Sequence, residues 1–338
     1  MRILVDVMGG DLPPEELVRG GITAGREMEI EIGFVGDPDL IRKALFQHGE
    51  REKHPFSIIP ATQTIKMDDP PVRAVREKRD SSLVKGLVAL KRGEGDAFVS
   101  PGNTGAVVAG AIFTLGRIPG VPRPGIGALL PSLTGRGLLI IDVGATVDCA
   151  PPHLLHFALM GGSYARDVLG VDEPRIGLLN IGTEVTKGNK LTQKAFELLE
   201  KSPLPFVGNV EGHNLLTDPS VDVVVCDGFV GNVFLKALEG GVSAVVKFIK
   251  DGFSHGGMQV KLGGLLFKPV FSALHSRLSY ERHGGAPLLG VNGVVVIGHG
   301  RSDATAIAGA IRAAQRAVKV GLNERIAQGL KGWKEIGS

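Results

Sequence analysis

The residues best suited to chemistry follow an apolar run, 221–225, that ends in a glycine turn. The run is β-branched and apolar apart from Asp222, which is typical of a parallel strand covered on both faces. The turn places Asp227, Gly228 and Asn232 between this strand and a predicted helix over 234–249. Unpaired N–H groups and the helix dipole favour anions at such a position, so the turn is a candidate anion site.

A second turn of the same kind follows the predicted strand 175–180. It begins after Asn180, contains Lys187 and leads into a predicted helix over 190–201. A lysine and an asparagine at two strand-end turns together predict a site for a small anion. An alternative stays open, in which both turns are ordinary connections with Gly for positive φ and Asn as a helix cap.

Two further strand exits repeat the pattern. The turn 100–106 contains Gly102, Asn103 and Thr104, whose N–H groups, amide and hydroxyl could cradle an oxyanion. A capped helix with Gly for close packing accounts for the same residues. The turn 142–149 contains Asp148. We expect all of these loops to leave one side of a sheet and to converge.

The first turn of the chain, 7–15, has paired glycines followed by Asp11 and two prolines. Pro14 can open a helix, and Asp is among the best N-cap residues. Asp11 is therefore either a helix cap or a site residue.

These turns need a framework of alternating strands and helices. Apolar runs of β type alternate with segments of helical period, which predicts an α/β fold with a mainly parallel sheet and helices on both faces. Strands are predicted over 3–7, 30–35, 56–60, 97–100, 126–130, 138–142, 175–180, 206–208, 221–226 and 294–297. Helices are predicted over 15–27, 82–92, 104–115, 153–169, 190–201, 234–249 and 304–320.

The composition limits the class of protein. A chain of 338 residues can bury a large core, and a net charge of +3 without a long basic run argues against nucleic-acid binding. Cys149 and Cys226 are the only cysteines, which suits a reducing cytosol. We expect neither a signal peptide nor an apolar run of the ~20 residues that span a bilayer. The nine histidines lack the spacings of zinc sites.

The loop 66–79 is the most polar in the chain, and its later part is basic. Its cations are Arg73, Arg76, Lys78 and Arg79. Such a surface could attract an acidic partner. The alternative is a short solvated helix.

The segment 252–280 combines Lys261, Lys268 and Arg277 with many apolar residues and no acidic residue. Pro269 interrupts its helical pattern, which predicts two short helices in a hairpin. A basic helix pair with an apolar face suits a membrane surface. It also suits a dimer interface.

The ordered set of motifs resembles the PlsX family of phosphate acyltransferases, which make acyl-phosphate from acyl-acyl-carrier protein and inorganic phosphate in bacterial phospholipid synthesis. The resemblance runs nearly end to end, and the order of the motifs is specific although each is weak. They are DVMGGD (6–11), SPGNTGA (100–106), VDC (147–149), GLLNIG (177–182), KGN (187–189), GNVEG (208–212), CDGFVGN (226–232), GGAPLLGVNG (284–293) and HGRSD (299–303).

The resemblance implies a single α/β/α unit over 1–338, with one or two lobes, related to phosphotransacetylases and isocitrate-type dehydrogenases. A protruding helical hairpin over 252–280 would be inserted in it. The resemblance also implies a homodimer in the cytoplasm, peripherally associated with the inner face of the cell membrane. The membrane contacts would be Lys261, Leu262, Leu265, Leu266 and Phe267.

The implied reaction is direct attack of phosphate on the thioester, giving acyl-phosphate for glycerolipid (phosphatidic acid) synthesis. Thioester and acyl-phosphate are both activated, so no cofactor and no metal is expected. Lys187 and Asn232 match the essential pair of the family, with Lys187 holding phosphate or the developing oxyanion and Asn232 donating to the carbonyl or the phosphate. Further substrate or phosphate contacts are expected from Asp11, Gly102, Asn103, Thr104, Asp148, Asn180, Asp227 and Gly228.

Two protein partners follow from the resemblance. The acidic carrier protein is expected to contact Arg73, Arg76, Lys78 and Arg79. A downstream membrane acyltransferase would use the acyl-phosphate. Departures from the family pattern are Pro101 for Ala, Thr146 for Asn, Leu12-Pro13 for His-Ala or Asn-Ala, and His283 for Tyr.

Three other hypotheses fit parts of the sequence. Cys226 could carry the acyl group covalently, although a cysteine at the end of an apolar strand is more often buried and inert. A decarboxylating, nicotinamide- and metal-dependent dehydrogenase would need a carboxylate cluster and a nucleotide loop, and no G-x-G-x-x-G follows a strand. A membrane scaffold would bind lipid and leave both substrates unchanged.

Overall fold

A large β-sheet runs through the centre of the molecule. The computed structural model describes residues 1–132, 137–255, 267 and 284–336. The strands are β1 (Arg2–Asp6), β2 (Glu31–Gly36), β3 (Phe56–Pro60), β4 (Ala97–Ser100), β5 (Gly125–Leu130), β6 (Leu138–Ile141), β7 (Ile176–Asn180), β8 (Phe206–Glu211), β9 (Val223–Val225), β10 (Ala286–Leu289) and β11 (Val294–Ile297). They form one sheet of 11 strands in the order β3-β2-β1-β4-β11-β10-β5-β6-β9-β7-β8.

Helices follow most strands and cover the sheet. They are α1 (Pro14–Met28), α2 (Pro38–Gln47), α3 (Pro71–Glu77), α4 (Ser82–Lys91), α5 (Thr104–Thr114), α6 (Pro151–Asp167), α7 (Lys190–Glu200), α8 (Gly228–His255), α9 (Ala304–Lys319) and α10 (Leu322–Ile336). Every helix predicted from the sequence is present, apart from the two predicted over 252–280, which lie mostly outside the described residues. The helices α2 and α10 and the strand β10 were not predicted, and α3 is the short helix that was the alternative for the loop 66–79. Pro287 lies inside β10, and proline argues against a strand unless tertiary pairing supplies the ladder.

The strand directions divide the sheet into two sets. The strands β1, β2, β3, β4 and β11 are mutually parallel, and so are β6, β7, β8 and β9. Between them, β10 is antiparallel to both β11 and β5, and β5 is antiparallel to β6. The prediction of a mainly parallel sheet is confirmed. The two sets run in opposite directions, so their carboxyl ends point to opposite edges of the sheet.

Alternating side chains of each strand enter cores on opposite faces of the sheet. In β1, Leu4 belongs to one core, which continues under α3, α4 and α5, whereas Ile3 and Val5 belong to another, under α1, α2 and α9. In β9, Val224 again lies in the first core, whereas its neighbours join a third, under α6, α7 and α10. The period of two that strands impose therefore produces the predicted cover of helices on both faces.

The helix α8 is longer and more exposed than the sequence indicated. It has 28 residues, and its first turns pack on the sheet through Leu235 and Leu238. Further along, Val245 and Phe248 are exposed. By length and composition, residues 228–253 are sufficient to cross a membrane, which corrects the expectation that no segment is long and apolar enough. The turn before the predicted helix proved to be its first helical turn.

The predicted hairpin lies mostly outside the described residues. This applies to four of its predicted membrane contacts, Lys261, Leu262, Leu265 and Leu266. Phe267 is described, and 54% of its side chain is exposed.

The contact between α4 and β4 leaves no room for a side chain at Gly86. A Cβ there would overlap the ring of Phe98, which is fully buried. We expect Gly86→Ala to lower the free energy of unfolding by about 1–3 kcal/mol, because overpacking a core forces the backbone or the ring to shift. Urea unfolding followed by circular dichroism measures this.

Gly329 in α10 provides the matched control. A Cβ there meets nothing within 4 Å, so Gly329→Ala should raise the stability by about 0.5–1 kcal/mol through helix propensity. Equal effects of the two substitutions would contradict the packing argument.

Candidate active site

A buried carboxylate organises the exit of β6. Asp142 has no exposed surface, and its Oδ1 accepts hydrogen bonds from the backbone N–H groups of Ile126 (2.9 Å), Gly144 (3.0 Å) and Ala145 (2.9 Å). Its Oδ2 accepts the N–H of Thr146 at 2.7 Å. Burial raises the pKa of Asp142, and the four hydrogen bonds oppose that shift. The carboxylate thus holds the loop after β6 in one conformation.

The first turn of α8 packs directly on this loop. The carboxylate of Asp227 accepts the N–H groups of the next turn, from Phe229 and Val230, at 3.0 Å each. The N–H of Gly228 donates to the carbonyl of Thr146 at 2.9 Å. A Cβ at Gly231 would overlap the carbonyl oxygen of Asp142. Only glycine allows this approach of helix to loop.

Asn232 projects from this turn toward the loop after β6. Its Nδ2 donates to the carbonyl of Val143 at 2.9 Å. A Cβ at Gly144 would lie 2.9 Å from the same Nδ2, so the glycine leaves space for the amide. An amide nitrogen carries two N–H groups, and among the described residues the Val143 carbonyl is its one acceptor.

Lys187 lies on the loop between β7 and α7. Two asparagines tie this loop to the sheet: Asn180 donates to the Asn209 amide oxygen (3.0 Å) and to the Lys187 carbonyl (3.3 Å), and Asn209 donates to the Glu184 carbonyl (2.9 Å). The Lys187 side chain is 46% exposed, and its Nζ lies 3.7 Å from the Glu184 carboxylate. The backbone is held while the ammonium stays accessible.

The loops that carry Lys187 and Asn232 leave the same edge of the sheet. The strands β7 and β9 that precede them are parallel neighbours, so their carboxyl ends lie side by side. Large apolar side chains are exposed on these loops and on the loop after β6: Val147, Ile181, Val185, Phe229, Val230 and Val233. The edge therefore combines an ammonium and an amide N–H with an apolar rim.

The exits of β1 and β4 form a second group, linked by another buried carboxylate. Asp6 accepts the N–H groups of Met8 (3.0 Å) and Gly9 (3.1 Å) and the hydroxyl of Ser100 (2.7 Å). Ser100 in turn accepts the N–H of Gly102 at 3.2 Å. These bonds bring the Gly9 and Gly102 backbones so close that a Cβ at Gly9 would lie 2.9 Å from the Gly102 Cα.

Asn103 serves the fold of this second group. Its Oδ1 accepts the Ala106 N–H at 3.0 Å and caps α5, and its Nδ2 donates to the carbonyls of Lys66, Met67 and Asp69. The amide is thereby occupied, as the capped-helix alternative implies. Thr104 begins α5 and is exposed.

Asp11 does not cap a helix. The N-cap position of α1 is Pro13, without a side-chain cap, because Pro14 already supplies a suitable first residue. Asp11 is exposed, and its N–H donates to the Gly300 carbonyl at 2.7 Å. The cap alternative is wrong for this residue.

The predicted turns do not all share one edge. The group around Lys187 and Asn232 follows strands that run opposite to β1 and β4. The expectation of a single edge is wrong because β5 and β6 pair antiparallel, which spacing along the chain does not reveal.

Neither cysteine has the properties of a nucleophile. Cys226 is buried, and burial, reinforced by the nearby Asp142 carboxylate, raises the pKa of its thiol. The same causes raise the pKa of Cys149 to about 12. A thiol rather than a thiolate is present at neutral pH, which favours the inert alternative for Cys226.

Thr146 and Asp148 lie on the loop after β6. The Thr146 hydroxyl points inward and donates to the Pro124 carbonyl at 3.1 Å. Asp148 is exposed on the same loop. Within the described ranges, no three His, Cys, Asp or Glu side chains are grouped closely enough to hold a metal ion.

The basic segment before α4 is partly neutralised. Lys78 donates to the Asp69 carboxylate and to the Thr64 carbonyl, and Arg73 pairs with Glu77 at 2.8 Å. Arg76 lies over the ring of Phe113, 5.3 Å from its centroid. A cavity of about 500 Å³ is lined by Pro70, Pro71, Val72, Arg73, Arg76 and Glu77. Lys78 therefore serves the loop itself.

Asp6, Asp142 and Asn209 are absent from the residues selected by sequence reasoning. A usable signal exists for the two carboxylates, since each ends an apolar run immediately before a glycine turn. Asn209 is hydrogen-bonded to Asn180 across β7 and β8, and no local sequence pattern predicts that contact.

Comparisons with known proteins agree with this architecture. The model of the family described as "Fatty acid synthesis protein" matches residues 1–325. The phosphate acyltransferase of Desulfitobacterium hafniense (strain DSM 10664 / DCB-2) is 48% identical over 326 residues, covering 96% of each chain.

Solved structures with the same fold are more distant in sequence. A phosphotransacetylase from Streptococcus pyogenes superposes with a TM-score of 0.59 and 18% identity, over 98% of this chain and 94% of that one. A 4-hydroxythreonine-4-phosphate dehydrogenase from Klebsiella pneumoniae gives a TM-score of 0.54 and 13% identity, over 94% and 99%. At these identities the likeness shows the fold alone, and the predicted phosphotransacetylase-like fold is confirmed.

The buried Asp6 should make stability depend on pH. Burial raises its pKa in the folded protein, whereas the unfolded chain ionises near ~3.9. At a pH between these two pKa values, Asp6 is protonated in the folded protein and ionised in the unfolded chain. The wild type therefore loses stability as the pH rises. Asp6→Asn cannot ionise, so its free energy of unfolding relative to wild type should increase from about pH 4 to 7. Urea titrations at each pH measure this.

Asp80 is a control of opposite sign. Hydrogen bonds from Lys85 and Thr62 lower its pKa to about 2. Its contribution to stability is present above the unfolded pKa and is lost as the pH falls toward about 2. Asp80→Asn should therefore weaken the protein more at pH 5 and above than at pH 2. The same pH trend for both variants would refute these assignments.

Proposed function

We propose that this chain transfers a fatty acyl group from acyl-carrier protein to inorganic phosphate. The chain belongs to the fatty acid synthesis protein family of phosphate acyltransferases. The enzyme class is that of its relatives, an acyltransferase. The donor, acyl-acyl-carrier protein, and the product, acyl-phosphate, go beyond that class and are proposed here. One observation supports the proposal most: the loop that carries Lys187 and the helix turn that carries Asn232 follow β7 and β9, which are parallel neighbours in the sheet.

The reaction forms one bond and breaks one. A phosphate oxygen attacks the thioester carbonyl carbon, the carbonyl oxygen gains negative charge, and the C–S bond then breaks. The product is acyl-phosphate, and the carrier thiolate takes up a proton from water. Both acyl compounds are activated, so the protein contributes positioning and charge stabilisation.

Lys187 supplies the positive charge for this step. Its ammonium is exposed, whereas its loop is anchored by Asn180 and Asn209. Such a cation can draw in phosphate and stabilise the developing oxyanion. Glu184 at 3.7 Å keeps the ammonium near the loop without enclosing it.

Asn232 supplies a directed hydrogen bond. One N–H is committed to the Val143 carbonyl, so the plane of the amide is fixed and the other N–H points in a defined direction. A fixed donor loses little entropy when it binds a carbonyl or phosphate oxygen. Predicted substrate contacts by Asn180, Asp227 and Gly228 would be indirect, because these groups hold the loops.

The apolar rim supports an acyl substrate. Val233 follows Asn232 and is 53% exposed, and Ile181 on the Lys187 loop is 81% exposed. Apolar side chains bordering a polar site suit a ligand with an alkyl chain next to a reactive carbonyl. Substrate contacts by Asp11, Gly102, Asn103, Thr104 and Asp148 stay predictions.

The carrier protein is proposed to dock on α3 and the neighbouring face of α5. Val72 and Phe113 are exposed there beside Arg73 and Arg76. Arginines around an apolar centre suit an acidic partner, because the rim charges guide association. A Cβ at Gly105 would lie 2.7 Å from the Pro71 ring, so the patch adjoins the first turn of α5. Arg79 stays in the proposed contact, whereas Lys78 does not.

The proposal includes a homodimer in the cytoplasm attached peripherally to the inner face of the membrane. The exposed apolar residues Val245 and Phe248 of α8 support it, because this helix leads into the basic segment 252–280. The first turn of α8 is held against the sheet, which favours surface attachment over a complete crossing. A membrane acyltransferase would then receive the acyl-phosphate.

Lys187→Ala and Asn232→Ala test the chemistry. Each variant should retain the fold, because both side chains are at least partly exposed, and each should lose ~10²–10³ in turnover, the usual effect of removing one oxyanion donor. The assay follows acyl-phosphate formed from acyl-acyl-carrier protein and phosphate. Lys190→Ala, which changes an exposed lysine at the start of α7, is the control and should be fully active. Full activity of Asn232→Ala or Lys187→Ala would locate the chemistry elsewhere.

Charge reversal tests the docking surface. Arg73→Glu together with Arg76→Glu should raise KM for the carried acyl group by about tenfold and leave kcat little changed, since rim charges act on association. Arg42→Glu, on the exposed surface of α2, reverses a charge on the opposite face of the sheet and should leave KM unchanged. An unchanged KM in the first variant would exclude this surface.

A further inference from the structure

Asp142 does not face solvent, but a short path of contacts joins it to Asn232. Its Oδ1 holds the N–H groups of Gly144 and Ala145, which come immediately after Val143. The Val143 carbonyl belongs to the same planar peptide group as the Gly144 N–H, and it accepts the Nδ2 of Asn232 at 2.9 Å. The direction of that carbonyl therefore depends on the carboxylate.

The same loop also positions the helix that carries Asn232. The Oδ2 of Asp142 holds the Thr146 N–H at 2.7 Å, and the Thr146 carbonyl accepts the N–H of Gly228 at 2.9 Å. A Cβ at Gly228 would lie 2.7 Å from Oδ2 itself. One carboxylate thus determines both the acceptor of the amide and the placement of its backbone.

We propose that Asp142 is a positioning residue for acyl transfer, which orients the Asn232 amide through the Val143 carbonyl. This inference rests on the proposed role of Asn232. The free N–H of that amide is directed by the bond that the other N–H makes. Displacing a catalytic group by about 1 Å can cost ~10²-fold in rate, so the carboxylate acts on turnover without contacting substrate.

Asp142→Asn is the first test. The substitution replaces one acceptor oxygen by an N–H₂ group, which leaves a backbone N–H of the loop without its partner. We expect kcat to fall about 10- to 100-fold with little change in KM for phosphate, since Lys187 is untouched. Measurement at a temperature where circular dichroism shows the variant fully folded separates this from unfolding.

Asp222→Asn is the matched control. Asp222 is also a buried carboxylate, and it accepts hydrogen bonds from the backbone N–H and the guanidinium of Arg175. It lies at the opposite end of β9, immediately before Val223. Its loss should lower the melting temperature and leave kcat unchanged.

A double-mutant cycle distinguishes positioning through Asn232 from a purely structural role of Asp142. If Asp142 acts through Asn232, Asp142→Asn added to Asn232→Ala should lower kcat no further. The inference would be overturned if the two substitutions lowered kcat by factors that multiply in the double variant. An unchanged kcat in Asp142→Asn would also overturn it. Full activity of Asn232→Ala alone would remove the proposed role of Asn232, and the inference with it. If Asn232→Ala loses activity and the two factors multiply in the double variant, the role of Asn232 is retained and only the inference about Asp142 is wrong.

Gly144→Ala gives a second route that leaves the carboxylate in place, for use if Asp142→Asn does not fold. Its Cβ would press on the Nδ2 of Asn232, 2.9 Å away. We expect the same loss of kcat, about 10- to 100-fold, and the same absence of any further loss in the Asn232→Ala background. An unchanged kcat in folded Gly144→Ala would contradict the positioning argument.

Discussion

The close approach of α8 to the loop after β6 is the constraint on which the candidate site depends. At Gly231 the helix backbone lies against the Asp142 carbonyl with no space for a Cβ. This approach is possible because the Asp142 carboxylate accepts three N–H groups of its own loop and one from Ile126 in β5. The loop in turn supplies the carbonyl that holds the Asn232 amide. Stability and site geometry therefore share the same contacts.

The antiparallel step between β5 and β6 decides which residues can act together. It reverses the second set of strands, so that Lys187 and Asn232 lie at one edge, whereas the Asp6, Gly102 and Asn103 cluster lies at the other. Both groups use the same local arrangement, a buried carboxylate that gathers backbone N–H groups at a strand end. Repetition of that arrangement makes the four turns look equivalent in sequence, although the antiparallel step places them at opposite edges of the sheet.

Many of the polar residues that mark the turns serve to hold loops. Asn103, Asn180 and Asp227 each spend their hydrogen-bonding capacity on neighbouring backbone. Buried polar groups need such partners, because a buried group without a hydrogen bond costs more free energy than the bond itself contributes. Lys187 differs, since its backbone is anchored while its ammonium stays exposed. A fixed backbone that carries an exposed charge is what a charge-stabilising catalyst requires.

The sequence by itself determined the fold class, most of the elements and the two turns that carry Lys187 and Asn232. Those are local properties: strand and helix periods, glycine turns and the types of residue that follow strands. It also supported the resemblance to phosphate acyltransferases, which the family match confirms. Only the tertiary structure decided the strand directions, the early start of α8, the pairing of Asn180 with Asn209 and the central place of Asp142. Each depends on contacts between residues far apart in the chain, such as those of Asp142 with Ile126 and of Asn232 with Val143, and no period or spacing along the sequence encodes them.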